Sequence, residues 1–316
     1  MAKIIIVTGG AGFIGSNIVR ELNKLGHKNI ILVDSLGSGV KFKNLNSLFF
    51  TDIIDKSDFL SKLDSLTKHK IESIIHQGAC SDTMNTDGGY FLRNNFEYSK
   101  TLLQYSILKK IPFIYASSAS VYGNGNSGFI ENRESEYPLN LYAFSKYIFD
   151  EYARQFMGKV ASPITGLRYF NVYGPQENHK GRMASVVFHF YNQIRNEKTI
   201  KIFKGSDKYY RDFIFVKDIS NIVTFFMKKQ KSGIFNCGTG EVRSFRDIAE
   251  IMSKLFGNVA VKTVPFPEAL VGKYQTFTKA NLNNLRKAGC KYVFTSLETG
   301  IKEYLTILNQ SGGYYL

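Results

Sequence analysis

Tyr142 and Lys146 stand four residues apart, Y-x-x-x-K, and at that spacing both side chains share one helix face. A phenol with a pKa of about 10 is a poor base at neutral pH. A cation beside it stabilises the phenolate and lowers that pKa, as an oxidised nicotinamide does. Lys146 can also hold the nicotinamide ribose. Ser118, at the end of an apolar run, is placed to hydrogen-bond the reacting oxygen. The chain has 19 tyrosines, so Y-x-x-x-K carries weight only if a dinucleotide site accompanies it.

Residues 4–15, IIIVTGGAGFIG, supply that site. A short apolar run, Ile4 to Val7, is followed by Gly9, Gly12 and Gly15, and a helical pattern begins at once. Gly9 lets the chain turn, Gly12 lets backbone approach a pyrophosphate, and Gly15 lets helix lie close to strand. The helix N-terminus adds free N–H groups and a partial positive charge. Asp34 ends the second apolar run, 19 residues after Gly15, where a carboxylate binds ribose hydroxyls and favours NAD. Lys41, beyond Gly37-Ser38-Gly39, is placed to meet a 2′-phosphate, so these residues alone leave NAD and NADP both open.

Around these residues, strand and helix alternate. Apolar runs at 30–33, 48–50, 71–75 and 113–116 end in Asp34, Asp52, His76 and Ser117-Ser118. Helical patterns cover 12–25, 56–67, 90–109 and 141–156. Chemistry at the C-terminal end of successive strands predicts an α/β fold, a Rossmann-type doubly wound parallel sheet. Beyond Arg168 the alternation turns irregular, which predicts a smaller α/β substrate lobe built from discontinuous segments. The division expected is 1–169 with 213–240 and 276–289 for the dinucleotide domain, and 170–212 with 241–275 and 290–316 for the lobe.

A net charge of +15 raises the question of nucleic acid, but the lysines are scattered and form no block. A positive field that draws in an anionic cofactor and substrate suits that distribution better. Three cysteines, Cys80, Cys237 and Cys290, lie far apart without C-x-x-C spacing, and the five histidines form no H-x-x-x-H pair, so no metal site is expected. No apolar run approaches membrane-span length, and no signal-peptide core precedes a cleavage site, so no membrane association and a cytoplasmic location are expected.

TGGAGFIGS, HQGA, SSASVYG, YAFSK, RYFNVYGP, RDFIFV and NCGTG, in this order, resemble an extended short-chain dehydrogenase/reductase acting on a nucleotide sugar. VDSLGSGVKFKNL (33–45), HQGACSDT (76–83), YFNVYGPQENHKGRMASVVFH (169–189), IFKGSDKYYRDF (202–213) and PFPEALVGKYQTFTKANLNNLRKAG (265–289) resemble, within that family, the group acting at C6 of an ADP-heptose. The resemblance implies an isomerase of lipopolysaccharide inner-core biosynthesis. It oxidises and re-reduces C6 of the heptose in ADP-D-glycero-D-manno-heptose on retained NADP. It implies a homo-oligomer, a pentamer, and a second base at Lys180 beside Tyr142.

The same resemblance implies cofactor contacts at Phe13, Ile14, Asp34, Ser35, Lys41, Lys56, Gln77, Gly78, Ala79, Cys80, Ser81, Asn94, Lys146 and Val172. Substrate contacts fall on Asn171, Arg182, His189, Phe203, Lys204, Gly205, Ser206, Arg211 and Tyr274. The chain departs from the family pattern at Gln77, where Glu is expected, and at Arg182, where Ser is expected. A dehydratase needs carboxyls beside its active Ser or Thr; Ala119-Ser120-Val121 follow Ser118, which disfavours water loss. A UDP-hexose 4-epimerase and a non-catalytic dinucleotide sensor remain as alternatives.

Overall fold

The computed structural model describes residues 3–37, 39–68, 70–266 and 275–316. Seven parallel strands form the main sheet: β1 (Ile4–Thr8), β2 (Ile30–Asp34), β3 (Asp52–Asp55), β4 (Ile71–His76), β5 (Phe113–Ser118), β6 (Ile164–Tyr169) and, later in the chain, Gly233–Cys237. Three short strands intervene, β7 (Asn171–Tyr173), β8 (Thr199–Phe203) and β9 (Tyr210–Arg211), then β10 (Phe213–Phe215), which makes Gly233–Cys237 β11. β12 (Arg243–Ser244) and β13 (Ala260–Val264) follow. The order across the sheet is β11-β6-β5-β4-β1-β2-β3. Strand order reverses at β1, and a crevice opens there at the C-terminal ends of the strands.

Helices cover both faces, which explains why the central strands read as unbroken apolar runs. On one face lie α1 (Phe13–Lys24) and, from the second half of the chain, Val216–Lys229. Ile18, Val19 and Leu22 pack there with Ile219, Ile222 and Phe226. The chain then passes through α2 (Lys56–Lys62) and α3 (Gly88–Phe91) to α4 (Tyr98–Lys109) and α5 (Leu141–Arg154). On the other face, Leu102 and Leu103 of α4 meet Phe149 and Ala153 of α5 over Phe113 and Tyr115.

A separate apolar cluster holds the smaller lobe. α6 (Val186–Glu197), α7 (the Val216–Lys229 helix), α8 (Phe245–Leu255), α9 (Asn283–Lys287) and α10 (Leu297–Ser311) complete the element list. Val187, Phe190, Ile248, Met252, Ile301 and Leu305 join α6, α8 and α10 around Ile200 and Ile202 of β8. β13 pairs with β8, β12 with β9, and β10 with β7.

Two local expectations change. Residues 48–50 are not the third strand. Leu48 N–H closes a turn on Leu45 O, and the strand starts at Asp52. The 90–109 helix is interrupted by a π-helical turn, Leu92–Glu97, which carries Asn95. Hydrophobic period alone does not register such an insertion.

One polar cluster lies inside this apolar frame. Arg168 of β6 is fully buried, with Nε 2.9 Å and Nη2 2.8 Å from Asp150 Oδ2 on α5. Its Nη2 also donates to Glu136 at 2.5 Å, and Arg154 pairs with the same Glu136. Tyr115 and Ser117 of β5 each donate to Asp150 at 2.9 Å. Removing one partner leaves a buried charge uncompensated. Asp150→Ala should therefore cost about 3–5 kcal/mol in urea denaturation, with the m-value unchanged; a loss below about 1 kcal/mol would show that the cluster contributes little.

Candidate active site

The glycine turn behaves as its spacing requires. Gly9 has φ +68°, and a Cβ there would lie 2.7 Å from Gly78 N. A Cβ on Gly15 would lie 2.0 Å from Gly9 O, so only glycine lets α1 sit this close to β1. Gly12, the N-cap of α1, has only Gly9 O near its missing Cβ, at 3.1 Å. No side chain caps α1 and no acidic residue sits in its first turn, so its dipole and amino-terminal N–H groups remain available to an anion. Gln77 points the same way: its Nε2 is buried with no hydrogen-bond partner among the described residues, while its Oε1 accepts from Tyr169 at 2.9 Å. These residues fit a dinucleotide.

One cleft of about 610 Å³ runs along the strand ends. Its walls include Gly9, Gly12 to Gly15, Asp34, Ser35, Lys41, Lys56, Gln77 to Ser81, Asn94, Ser118, Tyr142, Lys146, Val172, Lys180 and Arg182. The expected cofactor and catalytic positions are thus in one place. At one end Asp34 accepts from Ala11 N–H at 2.8 Å and pairs with Lys41, whose Nζ also reaches Ser35 O at 3.1 Å. Sequence reading assigned Asp34 and Lys41 to different parts of the dinucleotide; here they neutralise each other. Lys56 donates to Asn94 at 3.0 Å nearby.

At the reactive end, α5 begins at Asn140, whose side chain accepts from Ala143 N–H at 2.8 Å. That cap starts the helix two residues before Tyr142. Burial raises the Tyr142 pKa, and a hydrogen bond with Ser118 opposes the rise. Lys146 Nζ donates to Ala116 O at 2.8 Å, and burial brings its own pKa down to about 8 against the pull of Asp150. Lys180, in the turn Asn178–Met183, is half-buried, and its Nζ lies 5.4 Å from the centre of the Phe13 ring. Desolvation lowers its pKa, partly offset by Glu177. Glu177 fixes the turn by accepting from Ser185 N–H at 2.5 Å and Ser185 Oγ at 2.6 Å.

Hydrogen bonds tie the two ends together. Thr8 meets His76 Nδ1 at 2.5 Å, His76 Nε2 meets Ser99 Oγ at 2.8 Å, and Ser99 donates to Asn95 O at 2.6 Å. Burial keeps His76 neutral, with a pKa of about 3. Asn95 grips Cys80 through both its N–H (2.8 Å) and its carbonyl (2.9 Å) and donates to Ser145 on α5 at 2.9 Å. Sequence reading missed His76, Asn95, Asp150 and Arg168 as supports. The only available signal was polarity at positions where the period predicted burial.

Arg182 lines the cleft mouth but is exposed, and it pairs with Asp82 at 2.7 Å across that mouth. His189 is half-buried rather than core, with Nε2 3.3 Å from Arg182 O. Asn171, Phe203 to Ser206 and Arg211 do not line the cleft; Ser206 Oγ is buried without a partner among the described residues, and Arg211 stacks 5.7 Å over Phe245. Tyr274 lies outside the described residues. Among the described residues no group of three or more His, Cys, Asp or Glu is placed to hold a metal, and no helix is long and apolar enough to cross a membrane.

This fold and cleft define a dinucleotide-dependent enzyme of the short-chain dehydrogenase/reductase type. The chain belongs to the NAD dependent epimerase/dehydratase family, whose model matches residues 5–238. A Brachyspira hyodysenteriae protein named ADP-L-glycero-D-manno-heptose-6-epimerase is 54% identical over 320 residues, which is 99% of this chain and 100% of that one. The crystal structure of the Helicobacter pylori ADP-L-glycero-D-manno-heptose-6-epimerase superposes with TM-score 0.86 at 32% identity, covering 98% of this chain and 96% of that chain. UDP-glucose 4-epimerase from Thermotoga maritima, solved with UDP-glucose, gives TM-score 0.80 at 26% identity over 98% and 99%.

Gly15→Ala tests the cradle. The added methyl displaces Gly9 O, so dinucleotide affinity should fall by at least about tenfold in a fluorescence titration. Unchanged affinity would mean the turn is not the binding element.

Proposed function

We propose that this protein inverts C6 of the heptose in ADP-D-glycero-D-manno-heptose by transient oxidation and reduction at that carbon, with NADP as the retained cofactor. The observation that carries the reading is one cleft lined by Tyr142 from α5 and Lys180 from the 178–183 turn, beside the glycine cradle. The high identity to the Brachyspira hyodysenteriae protein supports the sugar, since it extends through the second half of the chain. Lys41 at the Asp34 corner supports NADP over NAD.

The dinucleotide would be held by the glycine turn, the start of α1, Lys41 and Lys146. When bound it supplies a hydride acceptor and, oxidised, a positive charge that lowers the Tyr142 pKa. The chain's own groups manage the proton on the C6 oxygen. A single fixed base cannot serve both faces of the carbon, so the oxygen is presented in two orientations. Tyr142, steadied by Ser118, exchanges the proton in one. Lys180, whose pKa is lowered by burial, exchanges it in the other. The Arg182–Asp82 pair narrows the mouth over the sugar. His189, Arg211 and the 203–206 turn lie outside that cleft and would meet the nucleotide sugar from the smaller lobe.

Tyr142→Phe and Lys180→Met should each lower the epimerisation rate by about 10²–10⁴-fold. Both should still bind NADP within a few-fold of the parent, and proton NMR of the sugar product reads the rate. Lys180→Met epimerising within a few-fold of the parent would place the second base elsewhere.

A further inference from the structure

Three loops meet at one fully buried side chain, Asn44. Its Nδ2 lies 3.0 Å from Ala11 O in the glycine turn, 3.0 Å from Gln176 O and 3.3 Å from His179 Nδ1. Gln176 Nε2 returns a bond to Asn44 O at 3.1 Å. Asn44 belongs to the short 3-10 segment Val40–Leu45 that begins beside Lys41; His179 belongs to the turn that carries Lys180. Both Nδ2 hydrogens are taken by the two carbonyls, and an amide nitrogen cannot accept a hydrogen bond, so an Nδ1–H facing it would have no partner. In the neutral ring the proton therefore sits on Nε2. The ring lines the cleft, and among the described residues Nε2 has no hydrogen-bond partner.

The charged groups facing the ring are Lys41 from the 3-10 segment, Lys180 from its own turn and Asp34 from the end of β2. Burial and the two ammonium groups hold its pKa near 4, so it stands as a neutral N–H donor. The Lys41 ammonium and the His179 ring N–H thus stand together at the Asp34 corner, with Lys180 left to the C6 oxygen. Ribose hydroxyls would call for the Asp34 carboxylate alone, and this donor pair goes beyond it. The pair suits a phosphate with two negative charges and three acceptor oxygens, which one lysine does not saturate.

We propose that His179 is a cofactor-binding residue whose Nε2–H donates to the 2′-phosphate on the adenosine ribose of the dinucleotide, beside Lys41. This rests on the NADP reading above. Asn44 is the positioning residue that fixes the tautomer and sets the ring against the glycine turn.

The test is equilibrium titration of the full-length protein with NADP⁺ and with NAD⁺, followed by fluorescence. His179→Asn keeps an acceptor for Asn44 and removes the Nε2 donor. His179→Gln restores a donor at that reach. Lys41→Ala is the reference. His179→Asn should weaken NADP⁺ about tenfold and NAD⁺ less than about twofold, and His179→Gln should recover most of the loss. Equal loss for both dinucleotides would overturn the assignment to the 2′-phosphate. No loss for NADP⁺ would overturn the contact itself. A parent protein that prefers NAD⁺, with Lys41→Ala unchanged, would overturn the NADP reading as well as the His179 contact. Thermal denaturation without ligand separates these results from misfolding.

Discussion

The buried charge of Arg168 organises the reactive half of the molecule. A guanidinium with no exposure to water needs carboxylates held in place, and Asp150 and Glu136 are there. Asp150 lies four residues after Lys146 and eight after Tyr142, so all three share one face of α5. Satisfying Arg168 therefore fixes the rotation of α5. The same carboxylate accepts from Ser117, the neighbour of Ser118 on β5. Helix and strand end are locked to one atom group. Tyr142 and Ser118 meet because Asp150 is held, not because they attract each other strongly.

A second constraint links the cofactor side to the sugar side. Asn44 and Gln176 join the glycine turn to the turn bearing Lys180, and Glu177 closes that turn on Ser185. Cofactor loop and second base are therefore parts of one hydrogen-bonded assembly rather than independent loops. Apolar clusters lie behind it and supply stability, while polar networks line the cleft and supply position. Desolvation then does electrostatic work at the site. It lowers Lys180, brings Lys146 to about 8 and keeps His179 near 4. A site with such reluctant cations suits a ligand that brings its own negative charge.

Much of this was legible in the sequence. The glycines carry their function in their spacing, because each answers a local steric demand: Gly15 fails with any Cβ. Tyr142 and Lys146 were legible because a helix repeats every few residues. The supports were not. Asp150, Arg168, Asn95 and Asn44 act across 15 to 135 residues of chain, and no period or local spacing encodes such pairings. The π-helical turn around Asn95 was invisible for a related reason, since one extra residue in a helix leaves its apolar pattern nearly intact. Lys41 is legible beside the glycine loop, but its pairing with Asp34 is not, because seven residues of loop set no distance between the two side chains. Arg182 was flagged as a departure from the family pattern, and its partner Asp82 is 100 residues away in sequence.

The proposed oxidation and reduction of C6 within one cleft keeps its hydrogen from exchanging with water. Turnover of the ADP-heptose in D₂O, with the product examined by proton NMR and mass spectrometry, tests it directly. Inverted product with no deuterium at C6 is the expected result. Solvent deuterium at that carbon would mean proton abstraction through an enol, and would contradict it.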